Sequence, residues 1–574
     1  MESSAATPMV NKNGSRDYCK KQSSKGGWNA ALFIIFVEVA DRFAYYGLAG
    51  NLIMYLTNEL HQSISMAAKN VNMWVGVSAL FPVLGALLAD SFIGRFNTII
   101  LSSLVYIVGM VLVCFSVSIV PMHYREAIFF LAIYVVAIGE GGHKPCVQTF
   151  AADQFDEDSP AEREAKSSFF NWWYIGIVVG STAAILLVVY VQDDISWTVG
   201  YVMLAVVLVA ALGLFLLGMR RYRKQLPVGS PLTTVGQVLV AAARKWRVEE
   251  THHSLLDDGR FAEGRVRHST TRTKQFRFLD KAMIIDSYDA SRDTRNPWRL
   301  CSLKEVEEVK LVFRLIPIWL SCLMFHVVLA QLHTFFTKQG STMIRSMGPH
   351  FQLPPASLQG LVGFTILISV VIYDRVFVPL ARKITGHPAG ITVLQRIGVG
   401  LFLSVLTMVT AALVETKRVN VAKSHGLLDN PKAILPMAVW WLFPQYMMCG
   451  LADCFAIVGL QELFYSQMPE AMRSMGAAAY ISLMGVGSFL SSGIISLVQV
   501  ISSKCGEEWL GNNLNRAHLD DFYWVIAGLS TLSFVVYVWM AKDYVYYEEV
   551  HQFGSEETTM VKDQKFNYSV DGEV

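Results

Sequence analysis

The first long apolar stretch of the chain, 28-WNAALFIIFVEVADRFAYYGLAGNLIMYL-56, carries Glu38, Asp41 and Arg42 in its middle. A stretch of this length crosses a bilayer as a helix. Charges inside such a helix are costly unless they are paired or hydrated, so by default they mark a path for protons, ions or substrate. The three residues share one helical face, where Arg42 can neutralise one carboxylate while the other titrates. The spacing predicts a proton-coupled site, with a non-titrating structural salt bridge as the alternative.

The composition indicates a polytopic membrane protein. Of the 574 residues, 53% are hydrophobic and 16% are charged, and the mean hydropathy is +0.39. We therefore expect a lipid bilayer as partner and no nucleic acid. Apolar stretches of about 20 residues, enough to span a bilayer, lie near 30–57, 71–92, 97–120, 127–148, 167–191, 196–219, 308–337, 356–380, 390–415, 433–463, 474–503 and 520–541. This predicts an all-α protein with twelve transmembrane helices in two groups of six.

A polar interval separates the two groups. Residues 220–305 hold 18 Lys/Arg and 10 Asp/Glu, a net charge of +8, which places them and both termini in the cytosol by the positive-inside tendency. The predicted segments are a cytosolic tail (1–27), a six-helix bundle (28–219), a basic linker (220–305) with one amphipathic piece near 234–243, a second six-helix bundle (306–543) and a cytosolic tail (544–574). This layout is typical of the major facilitator fold, whose halves rock about a midplane site.

Charges recur at corresponding turns of the two halves. Asp90 and Arg95 follow the second predicted helix, and Asp374 and Arg375 follow the eighth. Such pairs can latch one state of a carrier and release in another, although ordinary solvated loop charges give the same pattern. Thr98 lies beside the first pair, where a phosphate would add about −1.5 to −2 charge. A regulatory kinase is therefore a candidate partner, and a plain helix-cap threonine is the alternative.

Other functional classes find little support. The first 27 residues lack the apolar core of a cleavable signal peptide, so we expect the first helix to direct insertion. The eight cysteines show no disulfide or metal-site spacing. The chain has no HExxH and no GxSxG with triad partners, so we expect neither an enzyme nor a metal or cofactor other than the coupling proton.

Ten longer strings carry a family resemblance: EVADRFAYYG (38–47), GALLADSFIGRF (85–96), GEGGHKPCVQTFAADQFDE (139–157), SFFNWWY (168–174), FRFLDKA (276–282), VEEVKLVFRLIPIW (306–319), AQLHTFF (330–336), YDRVFVP (373–379), GITVLQRIGVG (390–400) and AALVETKR (411–418). Through them the chain resembles the plant nitrate/peptide transporter family, the proton-dependent oligopeptide transporter branch of the major facilitators, over roughly 28–548. The FRFLDKA string favours the plant branch over bacterial peptide carriers.

The resemblance implies proton symport of nitrate, di- or tripeptides or other small organic anions. It implies that Glu38, Asp41 and Arg42 form the family's proton-coupling E-x-x-E-R motif, in which Asp41 here replaces the usual Glu. It also implies that Lys144 and Glu462, from opposite halves, approach each other around the substrate.

Further residues are candidates for substrate contact or gating. Tyr45 and Tyr46 offer hydroxyls to a solute, and the seventh predicted helix brings Gln331 and His333. Some nitrate-carrying relatives have a histidine just before AQL, where this chain has a leucine, which weakens the transfer of a nitrate-binding role. Glu140, four residues before Lys144, is either a second proton site or a group that holds the lysine in place.

The sequence thus predicts a multi-pass symporter that moves a small solute with protons across a plant membrane by alternating access. A passive or exporting carrier of the same fold and a transporter-like solute sensor are the rivals. The sequence does not choose between the plasma and the vacuolar membrane, and it leaves the solute and the oligomeric state undetermined.

Overall fold

The architecture is that of a computed structural model, which describes residues 26–155, 160–224, 231–248, 273, 275–286, 289, 296–349, 351–386, 390–468, 473–504, 506, 508–542 and 544. Most of these residues are helical. The α-helices, numbered here in chain order, are α1 (Trp28–Ala49), α2 (Leu52–Asn58), α3 (Ile64–Leu88), α4 (Arg95–Ser118), α5 (Met122–Ala152), α6 (Pro160–Ala183), α7 (Trp197–Leu217), α8 (Pro231–Arg244), α9 (Arg277–Asp280), α10 (Leu303–Ser321), α11 (Leu323–Ala330), α12 (Phe335–Ser341), α13 (Gly360–Ile372), α14 (Val378–Thr385), α15 (Val393–Ser424), α16 (Phe443–Ser466), α17 (Arg473–Lys504) and α18 (Leu519–Lys542). Two short strands, β1 (Met343–Ile344) and β2 (Leu435–Ala438), pair in parallel.

The predicted twelve spans agree with these helices. Within the described residues, ten helical stretches are long and apolar enough to cross a membrane, and the pair Leu303–Ser321 and Leu323–Ser341, bent by 43°, makes an eleventh. The remaining predicted span corresponds to α1, which has 22 residues and carries the three charges of the 38–42 segment. The chain is therefore an all-α, multi-pass membrane protein.

Several predicted spans differ from the observed helices in extent, and two of these differences are informative. The first predicted span breaks into α1 and α2 at Gly50 and Asn51. The span predicted to end near 415 continues as α15 to Ser424. Arg418 explains the extension, because its guanidinium is fully buried beside Glu415 rather than solvated in a loop.

Unit 1 is the first of two compact units and contains residues from 1–62, 81–228 and 346–360. Its core includes aromatic side chains from several helices, among them Phe150, Phe169, Trp173 and Phe215. The 346–360 segment is held by the Gln359 side-chain amide, which donates to the Gly50 carbonyl at 2.9 Å.

Unit 2 contains residues from 63–80, 229–345 and 361–574. The first part of α3 belongs to it, where the Asn72 amide donates to the Ser491 hydroxyl at 3.0 Å. The predicted bundle boundaries, 28–219 and 306–543, stay predictions.

Part of the basic linker packs inside unit 2. The predicted amphipathic piece is α8, whose Val238 and Ala241 are buried in one apolar core with Leu279 of α9 and Val306 of α10. An ion-pair group lies beside this core: the Lys310 ammonium is 2.6 Å from Asp280 and 2.8 Å from Glu307. The linker therefore covers the start of α10.

Candidate functional site

Close backbone packing positions α5 within unit 1. A Cβ added to Gly85 of α3 would lie 2.2 Å from the Gly141 carbonyl oxygen, and one added to Gly139 would lie 2.4 Å from the backbone nitrogen of Tyr106 on α4. Pro145 has no N–H to donate to the Gly141 carbonyl one turn earlier. Glycine is required where backbones approach this closely. The packing fixes the helix that carries residues 140, 143 and 144.

The three charges of α1 lie together, as their spacing predicts. Glu38 and Asp41 are each 1% exposed. The Nε of Arg42 donates to Oε1 of Glu38 at 2.7 Å, and its Nη2 lies 3.8 Å from Oδ2 of Asp41. Arg42 is thus hydrogen-bonded to one carboxylate and only near the other.

Helix α5 brings three more ionisable groups to this place. Nδ1 of His143 lies 3.4 Å from Oδ1 of Asp41. The Lys144 ammonium pairs with the fully buried Glu140 and lies 4.1 Å from the ring centroid of Tyr45. We call Glu38, Asp41, Arg42, Glu140, His143 and Lys144 the α1–α5 cluster.

The charges of the α1–α5 cluster do not balance. Three carboxylates face two permanent cations, so the net charge is −1 when every carboxylate is ionised and His143 is neutral. Among the described residues, Oε2 of Glu38 and Oε2 of Glu140 are buried with no hydrogen-bond partner. Buried polar atoms are usually paired, so these two oxygens are suited to accept a proton or a ligand donor.

The tyrosines predicted to contact substrate belong to the same region. Tyr45 is buried, and its ring packs edge-on against that of Tyr46 at 5.2 Å between centroids. Tyr45 also holds the Lys144 ammonium over its face, an arrangement that favours a cation.

The other predicted substrate residues belong to unit 2. Gln331 is buried and its amide donates to the Val327 carbonyl at 2.9 Å, while His333 is partly buried. Glu462 is 48% exposed at its side chain, and its Oε2 lies 3.6 Å from Nη1 of Arg396. Lys144 and Glu462 thus each have an ionic partner within their own unit.

The two predicted gating pairs differ strongly. Arg95 contacts Asp90 at 3.1 Å and also Asp153 at 2.6 Å. The Arg375–Asp374 distance is 3.8 Å, and both side chains are at least 75% exposed. An exposed ion pair contributes little to stability. Of the two predicted gating pairs, Asp90 and Arg95 therefore form the stronger contact.

Thr98 lies at the start of α4, next to the first gating pair. It is 6% exposed, and its hydroxyl donates to the Gly94 carbonyl at 3.0 Å. The residue before the helix, Gly94, has a φ of 81°, a backbone conformation that favours glycine. The hydroxyl therefore reaches a kinase only if this turn opens.

Sequence reasoning missed several contacts of this site. His143 and Asp153 lie in one family string and Arg396 in another, and sequence reasoning assigned none of the three a partner. The signal for Asp153 was its position at the end of α5, close to the turn that holds Arg95.

A metal site has weak support. Among the described residues, the potential ligand atoms of His518, Asp520 and Asp521 lie within 4.8 Å of one another. They are at least partly exposed at the start of α18, and exposed acidic groups of this kind are common without a metal.

Bilayer-length helices that carry a buried, unbalanced charge cluster are typical of membrane carriers. The comparisons with known proteins agree. The PTR2 domain of the POT family matches residues 96–512, and the chain belongs to this family of transporters. It is not an enzyme.

Relatives and solved structures extend along nearly the whole chain. Protein NRT1/PTR FAMILY 5.4 of Arabidopsis thaliana is 57% identical over 531 residues, which are 91% of this chain and 96% of the relative. Protein NRT1/PTR FAMILY 5.10 of the same plant is 48% identical and covers 92% and 95%. The crystal structure of an auto-inhibited POT family peptide transporter matches with a TM-score of 0.67 at 19% identity, over 90% of this chain and 98% of that one. The structural match supports the major facilitator fold.

Proposed function

We propose that the protein is a proton-coupled symporter that moves a small solute by alternating access. The observation that carries the proposal is the charge imbalance of the α1–α5 cluster, in which three buried carboxylates compete for Arg42 and Lys144. One proton removes the excess negative charge. The coupling ion is thus the proton, and no other cofactor is needed.

A physical sequence follows from these contacts. With all carboxylates ionised, a buried excess charge opposes any movement that reduces its hydration or separates it from its cation. Protonation of one carboxylate releases its cation to bind solute and lowers the penalty of reorientation. Asp41 lies between Arg42 and His143, so a proton gained by Asp41 weakens its attraction to both residues.

The names of similar proteins support a small organic solute or nitrate. The relatives are named for nitrate and peptide transporter families. A POT family transporter of similar fold, with a TM-score of 0.62 at 14% identity, was crystallised with 5-aminolevulinic acid. Nitrate, a di- or tripeptide or another small organic anion is therefore the proposed class of solute.

Location and regulation belong to the same proposal. The basic linker favours cytosolic termini, with the plasma or the vacuolar membrane as the site of action. A kinase that phosphorylates Thr98 would place negative charge beside Asp90 and Arg95 and weaken their contact.

Uptake into proteoliposomes tests the function. An inward proton gradient should concentrate solute, and an ionophore that removes the gradient should stop accumulation. Equal uptake with and without the gradient indicates the passive or exporting carrier. Specific binding without any flux indicates the solute sensor.

A further inference from the structure

Glu140 changes what Lys144 can offer to a solute. The two side chains are one helical turn apart on α5 and form a direct ion pair. Lys144 is 13% exposed at its side chain and Glu140 is fully buried. An anion that binds the Lys144 ammonium must therefore either displace Glu140 or share the single positive charge with it, and in both cases one negative charge is left uncompensated.

Displacement by a simple anion is unfavourable. If nitrate takes the Lys144 ammonium, the Glu140 carboxylate is left buried and charged with no cation, which carries the full desolvation penalty. The neighbouring Arg42 offers no relief, because it already serves Glu38 and Asp41. Protonation of Glu140 would relieve the penalty only by using the coupling proton there.

A solute with both an ammonium and an acidic group avoids this penalty. Its acidic group can take Lys144 while its ammonium takes Glu140, so one internal ion pair is exchanged for two pairs with the solute. Oε2 of Glu140 is buried without a hydrogen-bond partner among the described residues, so an acceptor is already present. The ring of Tyr45, which faces the Lys144 ammonium at 4.1 Å, is also suited to a cation.

We propose that Glu140 is a specificity residue that binds the ammonium group of a small zwitterionic solute and disfavours nitrate. The inference rests on the proposed transport function for its physiological meaning. The inference itself concerns a binding preference for a zwitterionic solute over nitrate, and binding can be measured separately from transport.

The test uses purified full-length protein and matched solutes. Binding is measured by ligand-induced thermal stabilisation for glycine, γ-aminobutyrate and glycylglycine, each against its N-acetyl derivative, and for nitrate. The N-acetyl group removes the ammonium and leaves the carboxylate. We expect at least one amine to bind about tenfold or more tightly than its acetylated partner and than nitrate, since a site with a buried charge rejects a ligand that leaves it unpaired.

Three variants link the preference to one carboxylate. Glu140→Gln should reduce the amine-to-acetyl ratio to near one and improve nitrate binding, whereas Glu140→Asp should keep most of the ratio. Glu126→Gln is the matched control, because Glu126 lies on the same helix at an exposed position and contacts Gln62; it should behave as wild type.

The outcomes separate the inference from the function. Nitrate binding as tight as that of every amine, an unchanged ratio in Glu140→Gln, or no amine binding that depends on Glu140 overturns the inference. Amine binding that depends on Glu140 without proton-driven uptake supports the inference and overturns the symport proposal. Proton-driven uptake of nitrate with no amine preference supports the symport proposal and overturns the inference.

Discussion

Each unit contains a buried group of charges, and the two groups differ in how completely their hydrogen-bonding atoms are paired. In unit 2, Arg418 donates to both carboxylate oxygens of Glu415, at 2.6 and 2.8 Å. Its other N–H groups donate to Thr342, Leu514 and Asn515 at 2.6 to 3.1 Å. All five guanidinium donors are therefore used. We call these residues, with Gln339, the Glu415–Arg418 network.

The α1–α5 cluster of unit 1 is left incomplete. Within the described part of the chain, Arg42 makes one hydrogen bond, to Glu38, and buried oxygens of Glu38 and Glu140 have none. A completed network ties α15 to its surroundings and gains nothing from a proton. A network with unpaired buried oxygens can still accept a proton or a ligand donor, as binding and release require. The comparison separates charges that stabilise the fold from charges available for transport.

Glu415→Gln should give the largest loss of stability. Removing one partner of a fully buried pair leaves the other charge uncompensated, and this typically costs about 3–5 kcal/mol. The amide also replaces one carboxylate oxygen with an NH2 group, which at the Oε2 position would face the donors of Gln339 and of Arg418 Nε. Thermal unfolding of the purified protein in detergent measures the loss.

Glu38→Gln is the matched change in the α1–α5 cluster. It removes one of three competing carboxylates and leaves Asp41 near Arg42, so the melting temperature should fall less than in Glu415→Gln. A larger fall for Glu38→Gln would contradict the distinction between the two groups of charges.

Substitution of Asp41 should affect transport rather than stability. Asp41→Asn keeps the volume but removes the charge that Arg42 and His143 approach, so proton-driven accumulation should disappear. Asp41→Glu retains the carboxylate on a side chain one methylene longer and should keep proton-driven accumulation. Uptake into proteoliposomes with and without a proton gradient measures both. If the Asn variant still concentrates solute against a gradient, the coupling role of Asp41 is wrong.

The sequence predicted the spans and α1 more fully than the contacts between helices. Apolar runs reveal bilayer-length helices directly, and positions 38, 41 and 42 share a face by helical geometry alone. The contact of His143 with Asp41 depends on how α5 is rotated against α1, which the glycine packing determines.

The Glu415–Arg418 network was missed for another reason. Its two charged residues stand in the string AALVETKR, directly before a polar run that reads as a loop. Their burial depends on acceptors from distant segments, such as Leu514 and Asn515. No local sequence pattern predicts such distant partners.

The linker offers an intermediate case between the two groups of charges. Lys310 is fully buried between Asp280 and Glu307, and it also donates to the Thr273 carbonyl at 3.0 Å. Lys310→Met should leave both carboxylates without their cation and loosen the packing of α8 and α9 on α10. Limited proteolysis of the linker should become faster, by more than in Lys304→Met, whose side chain is 71% exposed. Equal rates would show that apolar packing alone holds the linker.

The smallest predicted effect is a loss of linker stability at low pH, which arises from Asp286. Burial raises the pKa of Asp286. The backbone N–H of Asp289 donates to its carboxylate at 2.8 Å, and the positive charges of Lys245 and Arg299 lie near, and both effects lower the pKa. The resulting pKa is below the ordinary value of 3.8. A carboxyl whose folded pKa is lowered stabilises the fold above its unfolded pKa, and this contribution is lost as the pH falls through the folded pKa.

Hydrogen exchange near residues 275–286 should therefore be constant from neutral pH to about pH 5, once corrected for intrinsic rates, and rise only below the ordinary Asp pKa. Asp286→Asn should lose this pH dependence, while Lys304→Met, at a largely exposed side chain, should keep it. The change should be modest, because Asp286 is only partly buried and its ion pair with Arg299 is screened by solvent. If the exchange rate instead begins to rise near neutral pH, a different titrating group is responsible and Asp286 does not control the packing of the linker.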